Sequence, residues 1–278
     1  MTDRRSFFTL DGGEYVPTRY ARSAWSDEMV NGPAVVAAAA RALELEHGRD
    51  GFQPARLTVD LFSPVRVDPL TVRTEAVRSG NRIQVADAHV VQGGTTVARA
   101  TLVQLRRGDE PAGRIWRSDR TVEPPEQVAS AEMEPGTRPF WGSGDTAGYW
   151  SQDMGAHQGD RRKRSWNRSL DVVADEDATP FQRAVTLGEA TSLMTNWGTE
   201  GIGFINADLT VALARLPRSA DFGIEADEHL GADGVAVGTA SLFDRDGVFG
   251  TGTVVAVSNA ARQIDFSRRG PADKGIRT

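Results

Sequence analysis

The sequence predicts a duplicated α+β fold in which each copy is an antiparallel sheet wrapped around one long helix. Three observations predict it. The pattern Leu-Thr-Val-x-Leu occurs at 57–61 and again at 209–213, 152 residues later. The same offset aligns further strand-like segments of the two halves without gaps. Each half also contains one helical segment followed by four strand-like segments with Gly- or Asp-containing turns between them.

The first helix is predicted over residues 32–46, GPAVVAAAARALELE. Asn31 or Gly32 is a suitable N-cap, and Pro33 suits the first helical position. Residues 33–43 are apolar on most faces, and a helix of that kind has to be covered by other elements. We expect a short strand around 13–19, GEYVPTR, before it.

Four strands are predicted after this helix, around 54–64, 70–77, 82–91 and 97–105. At the offset of 152 residues, the first, third and fourth fall on matching segments that begin near 206, 234 and 249. The second strand falls on 222–229, where the match is poor. Agreement of three strands at one fixed offset indicates a duplicated fold rather than strands that share apolar letters by chance.

The second helix is predicted over 181–197 at the same offset, with Thr179 and Pro180 as its start signal and a short strand around 165–173 before it. Glu189 lies four residues from both Val185 and Leu193, which belong to the inward-facing stripe. A carboxylate there has either a partner or a raised pKa, and both suit a general base. The alternative is a structural Glu189 at the border of the stripe, paired with an arginine such as Arg183.

The polar residues at the start of the strand over 205–213 are harder to place. Strict alternation puts Leu209 and Val211 on the helix side, and therefore puts Asn206 on the opposite face from Glu189. Asn206 can reach Glu189 only if the strand start is bulged or the other repeat covers it. Asp208 is expected to make a structural bond, for instance with Arg215 or a neighbouring strand.

The domain organisation follows from the repeat. We expect an N-terminal repeat over 1–106, a connector over 107–146, a C-terminal repeat over 147–262 and a loose tail over 263–278. The connector is rich in Pro, Glu and Gly, and the tail carries no strand or helix pattern.

Composition excludes several functions. The net charge of −6 argues against nucleic acid as a partner. No apolar run approaches the length of a membrane span, and none resembles a signal peptide, so a cytoplasmic protein without membrane insertion is expected. The chain has no cysteine and four scattered histidines, which predicts no disulfide, no thiolate nucleophile, no metal site and no cofactor. Ser143, in WGSGD, lacks the full G-x-S-x-G motif and its strand–turn–helix context, so a serine nucleophile is disfavoured.

The sequence also resembles a known family. The segments that carry the resemblance are NGPAVVAAAARALE near the first helix, PARLTVDLFSPV at 54–65, EAVRSGNRIQVADAHVVQGGTTVARA at 75–100, SWNR at 165–168, FINADLTVALARLP at 204–217 and LGADGVAVGTASLFDRDGVFGTG at 230–252. In their order and spacing these are similar to the acyl-CoA thioesterase II-type, thioesterase-like double-hotdog proteins of actinobacteria. The resemblance implies a double-hotdog fold, an acyl-CoA substrate, and pairing of chains into a homodimer.

The resemblance further implies a site in the second repeat. Glu189 takes the position of the family's acidic residue and Asn206 that of a polar residue at the strand start. The two hold and activate a water while backbone amides polarise the thioester carbonyl. Thr191, Ser192 and Asp208 are candidate substrate contacts.

Two positions depart from the family pattern. The acid is normally Asp rather than Glu189, and the expected Gln falls at or next to Val254. A protein that binds acyl-CoA or an acyl carrier without hydrolysis is therefore an alternative, as is a structural subunit that pairs with an active homologue. Hotdog hydratases are disfavoured because neither helix contains their Asp and His pair.

Overall fold

A computed structural model describes residues 5–119, 121–144 and 149–267 of the 278-residue chain. The helices are α1 (Gly32–His47), α2 (Pro180–Gly188) and α3 (Thr191–Asn196). The strands are β1 (Ser6–Asp11), β2 (Glu14–Pro17), β3 (Phe52–Leu61), β4 (Thr71–Ser79), β5 (Ile83–Gln92), β6 (Thr95–Arg106), β7 (Phe140–Ser143), β8 (Trp150–Ser151), β9 (Lys163–Arg168), β10 (Asp171–Val173), β11 (Trp197–Gly198), β12 (Gly201–Ile202), β13 (Phe204–Asn206), β14 (Asp208–Leu213), β15 (Asp221–Ala232), β16 (Val235–Asp244) and β17 (Gly247–Ser258).

One antiparallel sheet of twelve strands runs through both halves, in the order β4-β5-β6-β3-β14-β17-β16-β15-β9-β7-β8, with β13 paired to β17. The four predicted strands of each repeat are present, and the halves join where β3 pairs with β14. A smaller sheet, β10-β1-β2, ties the N-terminal segment to the second half. No helix of the described ranges is long and apolar enough to cross a membrane.

The pairing of β3 with β14 reveals how the copies are related. Thr58 lies opposite Thr210, and their hydroxyl oxygens are 3.0 Å apart, although the residues are 152 positions apart in sequence. Each of these threonines therefore pairs with its own equivalent in the other copy. A residue that faces its own equivalent is typical of a two-fold, isologous contact. An approximate two-fold axis passes through this pair and relates the two repeats.

The helices of the two repeats pack antiparallel about this axis. Near the end of α1, Glu44 Oε2 accepts hydrogen bonds from Thr179 Oγ1 at 2.6 Å and from Gln182 Nε2 at 2.8 Å. Thr179 is the N-cap of α2 and forms a capping box with Gln182. At the other end of the pair, the first turn of α1 lies against the C-terminal end of α2. Each helix therefore begins where its partner ends.

The second predicted helix is present but interrupted, which corrects the single helix expected over 181–197. Between α2 and α3, the Ala190 N–H bonds the Leu187 carbonyl and the Ser192 N–H bonds the Glu189 carbonyl. These bonds span three residues, as in a 3₁₀ turn, and they tighten the helix at this point. The Thr191 hydroxyl donates to the Gly188 carbonyl at 2.6 Å, a local side-chain bond of the kind that bends helices.

The helices do not share the offset of the strands, which corrects a second expectation. The N-caps Asn31 and Thr179 are 148 residues apart, four fewer than the strand offset. The additional residues of the second repeat lie between α3 and β14, where the hairpin β11–β12 is inserted. The strand offset of 152 residues would make Ala37 the equivalent of Glu189. Counted from the N-caps, the equivalent is Arg41.

The connector and the tail are more ordered than the sequence suggests. Within 107–146, Val128 and Met133 are buried against Trp166, and β7 is a full member of the main sheet. In the predicted loose tail, Ile264 is buried and the Phe266 ring packs 5.5 Å from the Trp197 ring. The prediction of a loose tail is therefore wrong for residues 263–266, because Ile264 and Phe266 cover the β11–β12 hairpin. Residues 268–278 lie outside the described residues.

Glycines in the sheet allow α3 to lie directly on it. A Cβ added to Gly252 in β17 would collide with Thr191 Oγ1, and one added to Gly238 in β16 would collide with Thr195 Oγ1. Thr191 is fully buried. The helix turn that carries Thr191 is thus held at a distance from β17 that only a glycine permits.

We expect Gly252→Ala to lower the free energy of unfolding by about 1–3 kcal/mol, because the new methyl group overpacks the contact with Thr191. Denaturant unfolding measures this effect. Thr191→Ala removes the colliding atom, so the double variant should lose less than the two single variants combined. Thr251→Ala, at an exposed neighbouring position, serves as the control. Strictly additive effects would contradict the contact.

Candidate active site

Glu189 occupies the 3₁₀ turn between α2 and α3, and its carboxyl group reaches the other repeat. A Cβ added to Gly32 would collide with Glu189 Oε1, so the carboxyl lies directly against the first turn of α1. The first N–H groups of a helix lack intrahelical acceptors, and the helix dipole favours negative charge there. The site therefore combines a side chain of the second repeat with a helix end of the first.

Asn206 contacts this carboxyl directly. Its Nδ2 donates a hydrogen bond to Glu189 Oε1 at 3.1 Å. The expectation from strict strand alternation, which placed Asn206 away from Glu189, is corrected by a shift in register. Asn206 lies opposite Ala256 on β17, whereas Thr210 lies opposite Thr253, so one extra residue is accommodated between them. Such a bulge reverses which residues face the helix.

The bulge is held by hydrogen bonds to one residue of β17. The Ala207 N–H donates to the Val255 carbonyl at 2.8 Å, and the Val255 N–H donates to Asp208 Oδ1 at 2.7 Å. Asp208 therefore makes the expected structural bond with a neighbouring strand. The other suggested partner, Arg215, pairs with Asp244 instead. An irregularity occurs at the equivalent place in β3, around residue 55, so the bulge belongs to both copies.

The electrostatics of Glu189 differ from those of a structural ion pair. Desolvation raises the pKa of Glu189 to about 7, and the hydrogen bond from Asn206 opposes that rise. Arg183, the suggested structural partner, instead donates from Nε to the Ala178 carbonyl at 2.8 Å and lies 3.7 Å from Asp171. The Glu189 carboxyl therefore has an amide partner in place of a cation, and it changes charge near neutral pH.

The other candidate residues surround this pair, and no side-chain hydrogen bond within the described part of the chain joins them to it. Thr191 uses its hydroxyl to hold the turn beneath Glu189, and the Ser192 N–H bonds the Glu189 carbonyl at 3.2 Å. Val254, where the family pattern expects Gln, is completely buried and lies between two inward-facing small residues of β17. Hence this position supplies no polar group.

Gly32 is the site residue that sequence reasoning missed, since it was considered only as an N-cap. The available signal was a glycine in the first turn of an otherwise well-formed helix, which often marks close approach by another group. The corresponding positions of the first repeat carry Arg41 and Pro54. Arg41 donates to Glu176 at 2.8 Å and to the Tyr15 hydroxyl at 3.0 Å. The acid and amide pair is therefore formed in the second repeat.

Comparison with known proteins identifies the fold and family. Residues 21–105 match the family model of the acyl-CoA thioesterase N-terminal domain, and residues 125–257 match that of the C-terminal domain. No curated protein matches.

Solved structures agree on the double-hotdog fold. The tesB protein of Mycobacterium avium subsp. paratuberculosis has a TM-score of 0.64 at 13% identity, covering 90% of this chain and 94% of that one. A hotdog-fold protein of Alicyclobacillus acidocaldarius, described as of unknown function, has a TM-score of 0.63 at 18% identity with the same coverage. Acyl-CoA thioesterase II TesB2 of Mycobacterium marinum has a TM-score of 0.61 at 11% identity, again with the same coverage.

The two domain models together span most of the chain, with the N-terminal model before the C-terminal one. This chain is a double-hotdog protein and belongs to the acyl-CoA thioesterase family.

Proposed function

We propose that this protein hydrolyses the thioester bond of an acyl-CoA, with a water activated by Glu189 and positioned by Asn206. The observation that carries the proposal is the 3.1 Å hydrogen bond between these two side chains, made beside the first turn of α1. A carboxylate with a pKa of about 7 is matched to general-base catalysis at neutral pH. Family membership supports the substrate class.

The pair suits a water because its remaining oxygens are acceptors. Asn206 donates through Nδ2, so its Oδ1 is available to accept a hydrogen bond, as is the second oxygen of Glu189. A water that donates one proton to each acceptor directs its lone pairs away from the pair. In the attack, Glu189 takes one proton as the water oxygen bonds to the thioester carbon. The carbon–sulfur bond then breaks, and the departing sulfur takes the proton from Glu189, which leaves a free acid and the coenzyme A thiol. Asn206 positions the water but cannot take its proton.

The first turn of α1 provides a place for the developing negative charge. Pro33 has no N–H and the Ala34 N–H donates to Asn31 Oδ1 at 2.9 Å, so the donor at this helix end is the Gly32 N–H, and Gly32 also leaves room beside the Glu189 carboxyl. Preorganised donors of this kind stabilise the oxyanion of acyl transfer. We assign the thioester carbonyl to this helix end. Thr191 and Asp208 then act as supports of the turn and of the bulge, and Ser192 remains a candidate substrate contact.

A second candidate function is the binding of an acyl-CoA or acyl carrier without hydrolysis. The buried Val254 favours it, because valine cannot help to orient a water. Thiol release from a panel of acyl-CoA chain lengths, measured beside calorimetric binding of the same compounds, separates the two functions. Binding without thiol release for every chain length would favour the second.

Glu189→Gln should lower kcat/KM for acyl-CoA hydrolysis by on the order of a hundredfold, because glutamine keeps the shape and the bond to Asn206 but cannot accept the water proton. In the unmodified protein, kcat/KM should rise as pH increases through about 7 and then level, since the base is the ionised carboxylate. Thiol release measures both. Glu200→Gln, at an exposed glutamate in the β11–β12 turn, is the matched control and should retain full activity.

Glu189→Gln should also be more stable than the unmodified protein at pH 8. Burial raises the pKa of Glu189 from 4.5 to about 7, so the folded state binds this proton more tightly than the unfolded state. Its contribution to stability is complete below about pH 4.5 and is lost as pH rises through 7. Glu189→Gln avoids that loss and should gain about 2 kcal/mol in unfolding free energy at pH 8, with little gain near pH 4.5. A gain that does not change with pH would contradict the assignment.

Gly32→Ala should abolish most of the activity while leaving the fold intact. The added methyl group would occupy the space of the Glu189 carboxyl and force it away from Asn206. Misplacing a catalytic group by about 1 Å can cost about a hundredfold in rate. Steady-state kinetics and thermal unfolding measure the two effects. Full activity in Gly32→Ala would show that the carboxyl does not work at this helix end.

A further inference from the structure

A second group of chemically capable side chains lies at the far edge of the second repeat. His157 is buried, and both of its ring nitrogens face serine hydroxyls. Ser143 Oγ is 3.1 Å from Nδ1, and Ser151 Oγ is 2.9 Å from Nε2. Ser143 is the last residue of β7 and Ser151 the last of β8, so adjacent strands present both hydroxyls to one imidazole.

Ser151 also contacts the backbone of Asp153. Its hydroxyl can donate to the Asp153 carbonyl at 3.4 Å, and its oxygen accepts from the Asp153 N–H at 3.3 Å. In the tautomer that carries the ring proton on Nε2, the Ser151 oxygen accepts from Nε2. Burial, followed by the charge of Lys163, lowers the pKa of His157, so the ring is neutral. Nδ1 is then the acceptor, and the Ser143 hydroxyl donates to it.

We propose that Ser143 is a second acyl-accepting nucleophile of this protein, with His157 as its base and Ser151 as the residue that positions the imidazole. A serine whose proton is directed at a neutral, oriented imidazole has the arrangement of an activated nucleophile. Sequence alone disfavoured this role because the glycine motif around Ser143 is incomplete. The histidine that supplies the base is fourteen residues away and is brought in by the fold.

Lys163 adds a positive charge to this group. It is the direct cross-strand partner of Ser143 in the pairing of β7 with β9, so the two Cβ atoms are neighbours. Its ammonium group is buried and fixed by hydrogen bonds to the carbonyls of Gly159, at 2.8 Å, and Arg161. The charge of Lys163 acts on His157, and a fixed positive charge in this group of residues favours the oxyanion that forms when a carbonyl is attacked.

The substrate class is an activated carboxylic ester, which includes a thioester. The Ser143 proton moves to His157 Nδ1 as Oγ bonds to the carbonyl carbon. The bond from that carbon to the leaving sulfur or oxygen then breaks, and the leaving group takes the proton from Nδ1. The products are an acyl-serine and a free thiol or alcohol. Ser143 and Ser151 are both partly exposed, and the Tyr149 ring, itself largely exposed, lies 5.2 Å from the imidazole ring. A reagent can therefore approach from solvent.

Labelling of the full chain with a fluorophosphonate tests the proposal. We expect one phosphonyl group per chain, mapped to Ser143 by peptide mass spectrometry and absent in Ser143→Ala. Ser169→Ala is the matched control and should label normally, since Ser169 bonds only a backbone carbonyl. Glu189→Gln should also label normally, which separates this result from the proposed hydrolysis at Glu189. No label at Ser143 would overturn the proposal.

The roles of the two supporting residues need a rate measurement. His157→Gln should slow labelling by about a hundredfold, as expected for loss of a general base. Ser151→Ala should slow it by about tenfold with an unchanged melting temperature, and Ser151→Thr, which keeps the hydroxyl, should restore the rate. If His157→Gln does not fold, the labelling rates of Ser151→Ala and Ser151→Thr test the assignment. Labelling of Ser143 at an unchanged rate in Ser151→Ala would show that the imidazole is not positioned through Ser151 and would overturn the assignment.

Discussion

The pairing of β3 with β14 is the contact on which the rest of the structure depends. It merges two sheets into one and places Thr58 opposite Thr210 on an approximate two-fold axis. That axis makes the two helices antiparallel, so the start of α1 meets the end of α2. The carboxyl of Glu189 reaches Gly32 only because of this arrangement. A slip of one residue in the pairing would turn every side chain of one sheet to the wrong face.

Burial alone does not distinguish Glu189 from other acidic residues of the second repeat. Asp221 and Asp244 are also buried, yet their pKa values are lowered, because Arg245 and Arg215 hold them in bidentate ion pairs that outweigh desolvation. Within the described ranges, Glu189 has only the Asn206 amide as a side-chain partner, so desolvation prevails. A buried carboxyl without a cation costs stability, and retaining one is typical of a functional position.

Much of this fold could be predicted from sequence, because each strand predicted in one repeat can be checked at the equivalent position of the other. The helix of the first repeat and four strands in each repeat follow from periodicity and start signals. The site geometry could not be predicted with the same rules. Strand alternation assumes an unbroken strand, and the extra residue at the bulge, Ala207, has no distinctive side chain. The 3₁₀ turn at Glu189 depends on a tertiary contact between Thr191 and Gly252. Because the helices are offset by four residues fewer than the strands, the first-repeat equivalent of Glu189 is Arg41 and not Ala37.

The presence of Gly32 and Glu189 in one polypeptide has a consequence for how such a site can change over time. Two separate single-repeat chains, paired by the same axis, would carry two identical copies of every position. A substitution such as the one that distinguishes Arg41 from Glu189 would then remove the acid from both. Fusion of the copies removes that constraint, so one half can carry an Arg41–Glu176 ion pair where the other carries the acid. Fusion also makes the assembled site independent of protein concentration, because its two parts cannot dissociate.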